Sequence, residues 1–138
     1  MSIVQTQTTS FKKELYQGIH DLSTDTIKIA LYTAAADLNE STTAYSSVNE
    51  VVASGYTAGG EIMTGASINS DNYTAYVNWN NVSWTTAVTA RCALIYNVTQ
   101  SNKSIAVLDF GSDKTSTTTF LITMPANTST AALIRSSN

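Results

Sequence analysis

The clearest pattern along the chain is an alternation of apolar and polar positions in the segment IKIALY, residues 27–32. One face of this segment carries Ile27, Ile29 and Leu31, and the other carries Lys28, Ala30 and Tyr32. A period of two residues is typical of a β-strand that is buried on one side. The pattern therefore predicts a scaffold strand at this position.

A long polar segment follows this strand, from Thr33 to Asn49. Connections of more than about 12–15 residues are uncommon unless they are functional or disordered. Its later part, residues 37–49, has Asp37 and Glu40 as its only charged residues and includes Tyr45. We expect this segment, here called the excursion (residues 33–49), to contact another protein chain. Packing within its own chain is the alternative for each single residue.

The N-terminal region shows the spacing of a short amphipathic helix. Its apolar positions recur at i, i+4, i+8 and i+11, and they are Phe11, Leu15, Ile19 and Leu22. This spacing places the four side chains in one stripe. Ser10 is the predicted N-cap, Gly18 weakens the helix, and the helix is expected to end near Leu22–Ser23.

Residues 1–10 precede the helix and are predicted to form an extended arm. Ile3 and Val4 are the large apolar residues of its segment 2–10. We predict that the arm becomes ordered on assembly and that Ile3 and Val4 make contacts there. Residues 11–138 are expected to form one β-rich domain, because a chain of 138 residues is the usual size of a single domain.

Further strand-like segments follow, separated by turn signals. The stronger ones are Tyr73–Trp79, Val82–Trp84, Ala90–Val98, Ser104–Phe110, Thr115–Met124 and Thr130–Arg135, and the weaker ones are Val51–Ala53 and Glu61–Ile68. Ala90–Val98 is apolar on both faces, which predicts a central strand. Gly111–Lys114 is predicted to be a turn. Several short strands with one short N-terminal helix indicate a mainly β fold, either a single-domain β-sandwich or a jelly-roll-like barrel.

Composition adds one feature to this picture, because charged residues are scarce. They make up 12% of the chain, about half the usual fraction. A surface with little charge avoids the cost of desolvating charge at a contact, so it suits binding to protein. The alternative is that the composition simply reflects β structure and a secreted or extracellular protein. The net charge of −3 disfavours binding to nucleic acid, which requires a basic surface.

The sequence contains no signal for export or membrane insertion. The N-terminal segment MSIVQTQTTSFKKEL lacks a basic region followed by an apolar run. No window approaches the roughly 18 apolar residues of a membrane span. We therefore expect the protein in the cytoplasm where it is made, unless another route releases it. The single cysteine, Cys92, excludes an intramolecular disulfide.

No residue pattern predicts a catalytic or metal site. The only histidine, His20, is followed by Asp21 on the predicted helix, where adjacent side chains do not face each other. We interpret His20 as a surface histidine near a helix C-terminus. The glycine-rich segment 55–60 lacks the Lys-Ser/Thr ending of a phosphate loop and is expected to be a turn. We therefore expect no enzyme activity, no metal and no cofactor.

Aromatic residues offer two kinds of binding surface. Trp79 and Trp84 lie on predicted strands, where they are expected to be core residues; stacking platforms for a sugar are the alternative. Tyr32, Tyr45 and Tyr56 lie in or beside the excursion. Because tyrosine is enriched at protein interfaces, we predict these three as assembly contacts.

Five blocks of the sequence resemble small virion proteins of tailed bacteriophages. They are KIALYTAAADLNESTTAYSSVNEV, GYTAGG, VSWTTAVTARCALIYN, AVLDFGSDKTST and FLITMP, and the similarity extends from about Phe11 to Arg135. The resemblance implies a structural component of the phage particle that is made in the host cytoplasm and located in the virion. It identifies no catalytic residues.

Two positions in the particle are compatible with this resemblance. The first is a capsid decoration or cement protein, commonly a trimer, whose partner is the major capsid protein and which acts through multivalent contacts. The second is a tail, neck or fibre-associated component. A single compact domain without a fibrous or tube-forming segment favours decoration. A cell-surface carbohydrate-binding module is the alternative from another class.

Overall fold

The computed structural model describes residues 2–137 and confirms a mainly β fold with one short helix. The helix α1 spans Thr9–Tyr16. The strands are β1 (Thr6–Gln7), β2 (Ile27–Tyr32), β3 (Glu61–Ile62), β4 (Ser67–Asp71), β5 (Thr74–Asn78), β6 (Val82–Trp84), β7 (Thr89–Asn97), β8 (Lys103–Thr115), β9 (Phe120–Ile122) and β10 (Ile134–Ser137).

The first layer of the fold is an antiparallel sheet of five strands in the order β1-β8-β7-β2-β3. β7 lies at its centre, and residues 92–97 are buried on both faces of the strand. The prediction of a central strand near Ala90–Val98 is thereby confirmed. The alternation in β2 also predicted a strand correctly, although both of its faces are covered.

The second layer consists of two small sheets, β10-β5-β4 and β6-β9. At one edge of the sandwich, the segment that contains Met63 and Thr64 connects the first layer to the second. The Met63 N–H donates to Ile27 O in the first layer, at 2.8 Å, whereas Thr64 O accepts from the Asn80 N–H in the second, at 2.9 Å. On the other side β8 and β9 are not paired. The strands of residues 2–137 therefore form a sandwich-like domain with one open side, and they do not close into the barrel that was the second sequence-based expectation.

Apolar side chains form two cores, one on each face of the five-stranded sheet. The larger core fills the space between the layers and contains Phe11, Trp79 and Trp84. The smaller core lies on the outer face and includes Tyr32, Leu38, Cys92, Leu94 and Tyr96. Trp79 and Trp84 are thus core residues, as the sequence pattern predicted.

The excursion covers the smaller core, so its main contacts lie within its own chain. Ala36 and Leu38 are buried there, and Tyr45 stacks on Tyr96 with ring centroids 4.7 Å apart. The main chain is fastened as well, because the Tyr45 N–H donates to Asn102 O at 2.9 Å. Intrachain packing, the alternative for its single residues, therefore holds for the buried side chains of the excursion. Contact of its exposed residues with another chain stays a prediction.

The predicted N-terminal arm is also docked on its own chain. The Val4 N–H donates to Leu38 O at 3.0 Å, and β1 pairs with β8 through Thr6 and Gln7. Residues 2–8 therefore have partners without a second molecule; Met1 lies outside the described residues. Helix α1 begins within the predicted arm, because the Thr8 side chain, not that of Ser10, accepts the Phe11 N–H at 3.3 Å.

Several element boundaries differ from the sequence-based predictions. α1 ends at Tyr16, before Gly18, which has a φ of +70°. β8 continues through the predicted turn Gly111–Lys114, because residues 110–113 form a bulge opposite Arg91. The predicted strand Thr115–Met124 is only partly a strand. Thr115 is the last residue of β8, residues 120–122 form β9, and the residues between and after them are not paired in a sheet. Residues 51–53 are not a strand, and the final strand β10 starts at Ile134.

Candidate binding groove and a buried carboxyl cluster

The open side of the sandwich forms a groove of about 630 Å³, here called the β8–β9 groove. Its floor and walls come from β8, from β9, from the residues that directly follow β9 and from the residue that precedes β10. Apolar lining residues of the groove include Leu108, Phe110, Leu121, Met124 and Leu133. Because most of the lining is apolar, the groove is a candidate site for apolar side chains of another molecule.

Strand edges border this groove. β9 pairs only with β6, and every residue of β9 lines the groove. On its outer side the first part of β8 is paired, through the bridge between Lys103 and Ala44 and through β1 at Ala106 and Val107. Beyond Val107 the Asp109 N–H donates to the Gln5 side chain at 3.2 Å. A groove with apolar walls and unpaired strand edges fits an extended protein segment, which supplies both side chains and main-chain hydrogen bonds.

The exposed apolar surface of the groove is greatest at Leu121. This side chain is 57% exposed, whereas the neighbouring Phe120 and Ile122 are buried. Lys114 is the charged residue of the lining. A surface with an apolar centre and little charge is typical of the core of a protein interface.

A buried carboxyl group joins the excursion to the sheet. Glu50 is 7% exposed, and its Oε1 accepts the Tyr45 hydroxyl at 2.6 Å. Its Oε2 accepts the Tyr56 hydroxyl at 2.5 Å and the Gly59 N–H at 2.7 Å. The Tyr56 oxygen in turn accepts the Leu31 N–H of β2 at 2.9 Å. A continuous hydrogen-bond network therefore holds together the excursion, the segment 56–59 and β2. This network is here called the Glu50 cluster.

Four tyrosines around Glu50 hold their protons more tightly than free tyrosine does. Burial is the largest cause, and the negative charge of Glu50 adds to it. The pKa of Tyr32, Tyr45 and Tyr56 is raised well above 10, and the pKa of Tyr96 is raised to about 12. The arrangement stabilises neutral phenols as hydrogen-bond donors.

These tyrosines predict a loss of stability in alkaline solution. Below pH 10, the ordinary tyrosine pKa, the phenols are protonated in both the folded and the unfolded chain. Above it the unfolded chain loses these protons first, so the free energy of unfolding falls as pH rises. We expect the urea midpoint to drop steeply between pH 10 and the pKa of Tyr96, about 12. Tyr96→Phe should make this drop shallower, and equal slopes for both proteins would contradict the assignment.

The five predicted assembly contacts occupy different environments. Val4 is 39% exposed, while Ile3 and Tyr45 are half-buried. Tyr32 and Tyr56 are 1% and 8% exposed, so they offer almost no surface to another chain. For these two the contact role is replaced by an internal one, because their hydroxyls bind Ser46 O and Glu50. None of the five lines the β8–β9 groove.

His20 is not the surface residue that the sequence suggested. Its side chain is fully buried and packs on Phe11, with ring centroids 5.0 Å apart. Its Nε2 lies 2.9 Å from the Glu14 carboxyl, and its Nδ1 lies 3.0 Å from the Asn97 amide. The helix ends early and the following turn folds back, so His20 is placed under α1 and not beyond its C-terminus.

The remaining candidates for chemistry have structural surroundings. Burial raises the pKa of the Cys92 thiol to about 11, which disfavours the reactive thiolate. Residues 2–137 contain no group of three or more His, Cys, Asp or Glu side chains placed to hold a metal ion. Trp79 and Trp84 are too buried to act as sugar-stacking platforms.

The sequence interpretation missed both the groove and the Glu50 cluster. The groove combines residues from β8, β9 and the segment before β10, which lie far apart along the chain. One local signal was available. Phe120, Leu121 and Ile122 are consecutive apolar residues of a strand, and because successive side chains point to opposite faces, at least one of them must face away from the core. Glu50 gave no signal, because a glutamate at the end of a polar segment is ordinarily exposed.

Comparison with models of known protein families, with curated proteins and with solved structures gave no match. No helix in the described chain combines the length and apolar character needed to cross a bilayer.

Proposed function

We propose that the chain is a non-enzymatic structural protein of a tailed-bacteriophage virion, and specifically a decoration protein of the head shell. The observation that carries the protein-binding part of this proposal is the β8–β9 groove, with its exposed Leu121 and unpaired strand edges. The virion part rests on the sequence blocks that resemble small phage virion proteins.

The proposed mechanism is multivalent binding. One groove supplies a modest apolar contact, so a single copy binds weakly. Copies joined in a homo-oligomer, a trimer in the family that the sequence resembles, engage several shell subunits at once. The second and third contacts then form at high effective concentration, and the assembly is held tightly without any covalent step.

Immunogold electron microscopy of particles of the phage that encodes the chain tests the location. Antibodies against the chain should label the head at regular positions. Label on the tail or neck would support a tail-associated component instead. Particles without label would overturn the virion proposal.

Leu121→Asp tests whether the groove makes the contact. Purified protein is added to particles that lack it, and occupancy is measured by quantitative gel densitometry. A carboxylate buried in an apolar contact is costly. We therefore expect half-maximal occupancy of the particles to require at least about tenfold more of the variant than of the unmodified protein. Leu15→Asp is the matched control, because Leu15 is 39% exposed on α1 and outside the groove. Equal binding by both variants would reject the groove while leaving the labelling result to decide the location.

A further inference from the structure

β4 is an outer strand of its sheet, and within residues 2–137 no main-chain hydrogen bond reaches its outer edge. Side chains alone reach β4 from outside the sheet: Asn127 Nδ2 donates to Ser67 Oγ at 3.1 Å, and Ser129 Oγ donates to Asp71 Oδ2 at 3.1 Å. β4 is five residues long and contains neither proline nor lysine. β3 has two residues, and the outer edge of β10 is bridged by the Gln7 side chain, whose Nε2 donates to Arg135 O at 3.1 Å. Proteins ordinarily protect long exposed edges with charge, proline or bulges, since unpaired edges bind other strands.

The register identifies which main-chain groups of β4 are unpaired. β4 and β5 are joined by the two-residue loop 72–73, and Asp71 pairs with Thr74. Such a closing pair is hydrogen-bonded, and bonded pairs then alternate along the ladder. Asp71, Asn69 and Ser67 therefore bond to β5, while the N–H and C=O groups of Ile68 and Ser70 point away from the sheet.

The same edge is accessible from both faces of the sheet. Ile68 is 53% exposed on one face, and Asn69 and Asp71 are exposed on the other. Ala75 of the neighbouring strand is exposed too, and Tyr73 at the hairpin tip is 82% exposed. The side chains at the tip and along β4 are thus exposed, and the outward main-chain groups of Ile68 and Ser70 have no hydrogen-bond partner within residues 2–137.

We propose that β4 pairs with β4 of a second copy of this chain, antiparallel and about a two-fold axis at Asn69. Ile68 of each copy then lies opposite Ser70 of the other. These are the residues with free main-chain groups, so each pair exchanges both of its hydrogen bonds. The result is one continuous sheet that joins β10-β5-β4 of one copy to β4-β5-β10 of its partner.

Charge does not oppose a second copy as the occupant of this edge. Asp71 is the only charged residue of β4, and in the two-fold register it lies opposite Ser67 of the other copy. The two Asp71 side chains sit at opposite ends of the paired segment, about 13 Å apart along the strand. This separation exceeds the Debye length of about 8 Å at physiological salt, so their repulsion is screened. The register about Asn69, in which each free N–H and C=O group meets a free partner, is what makes the strand complementary to itself.

Sedimentation velocity of the purified full chain tests this inference without any phage component. Between about 5 and about 300 µM we expect the mass to rise from 14.7 kDa toward twice that value. Ser70→Pro removes the outward N–H and leaves the bonds of Asn69 and Asp71 to β5, so it should stay a monomer throughout this range. Ser70→Ala, which keeps the N–H, is the matched control and should associate as the unmodified chain does.

Three results would overturn the pairing. They are a monomeric unmodified chain at the highest concentration, a three-chain mass, and association that survives in Ser70→Pro. If circular dichroism shows that Ser70→Pro is unfolded, Ile68→Lys decides, because a lysine on the edge opposes pairing while β4 stays bonded to β5. Association by a folded Ile68→Lys protein would reject the proposal. A two-chain mass would put a dimer in place of the trimer of the family that the sequence resembles. It would leave the virion location open, because the particle experiments test that location separately.

Discussion

Gly60→Ala is expected to lower the stability of the domain more than any other substitution considered for this chain. A Cβ atom at this position would lie 1.8 Å from Ile29 O and 2.8 Å from Ala30 Cα. Both atoms belong to the main chain of β2, which is paired on both sides and cannot retreat. Gly60 also has a φ of +82°, a conformation that disfavours any side chain. We expect the free energy of unfolding to fall by about 4 kcal/mol or more.

Gly18→Ala separates the contribution of the clash from that of the dihedral angle. Gly18 has a φ of +70°, but a Cβ atom there meets nothing within 4 Å. Its substitution should cost about 1 kcal/mol, the penalty for a left-handed conformation alone. Urea unfolding followed by tryptophan fluorescence measures both proteins, since Trp79 and Trp84 are buried. A Gly60→Ala protein as stable as Gly18→Ala would mean that the turn 57–60 does not press on β2 as described.

Glu50→Ala is the second substitution with a large expected effect. It removes the acceptor for two phenols and for the Gly59 N–H. The Tyr56 hydroxyl and the Gly59 N–H are buried, and a buried donor without an acceptor costs about 1–3 kcal/mol. We expect the free energy of unfolding to fall by about 3 kcal/mol or more, measured by urea titration.

Two further variants show whether this effect belongs to the network. Glu50→Gln keeps the shape of the side chain and one acceptor oxygen. Its free energy of unfolding should therefore lie between that of the unmodified protein and that of Glu50→Ala. Glu40→Ala removes an exposed glutamate from the excursion itself and should change stability by less than about 0.5 kcal/mol. If Glu50→Ala were as mild as Glu40→Ala, the Glu50 cluster would not be what fastens the excursion to the sheet.

The excursion illustrates where sequence reasoning was partly right. Its length and polarity correctly separated it from the strands. The alternation in β2 was then taken to mean one buried and one exposed face, which implied that nothing in the chain covered Ala30 and Tyr32. In the structure Leu38 and Tyr45 cover that second face. A segment with few apolar residues was sufficient, because Ala30 and the flat Tyr96 ring leave little surface to cover.

The sequence identified the candidate sites less well than it identified the fold. Val4 is exposed and Tyr45 is half-buried, so the predicted assembly contact of each stays a prediction. Tyr32 and Tyr56 were misplaced because composition indicates that tyrosine suits an interface without saying whether that interface is internal. The β8–β9 groove could not be predicted, since its position depends on which strands remain unpaired.

By itself, the sequence determined the elements: the strands near residues 27–32 and 90–98, the short helix, and the core role of Trp79 and Trp84. These follow from periodicity and side-chain size, which act over a few neighbouring residues. Only the tertiary structure decided that the excursion covers the sheet, that Glu50 collects three donors, and that β4 and the β8–β9 groove remain open. Those features depend on strand order and on contacts between distant segments, and a local pattern of apolar positions specifies which residues share a face but not what lies against it.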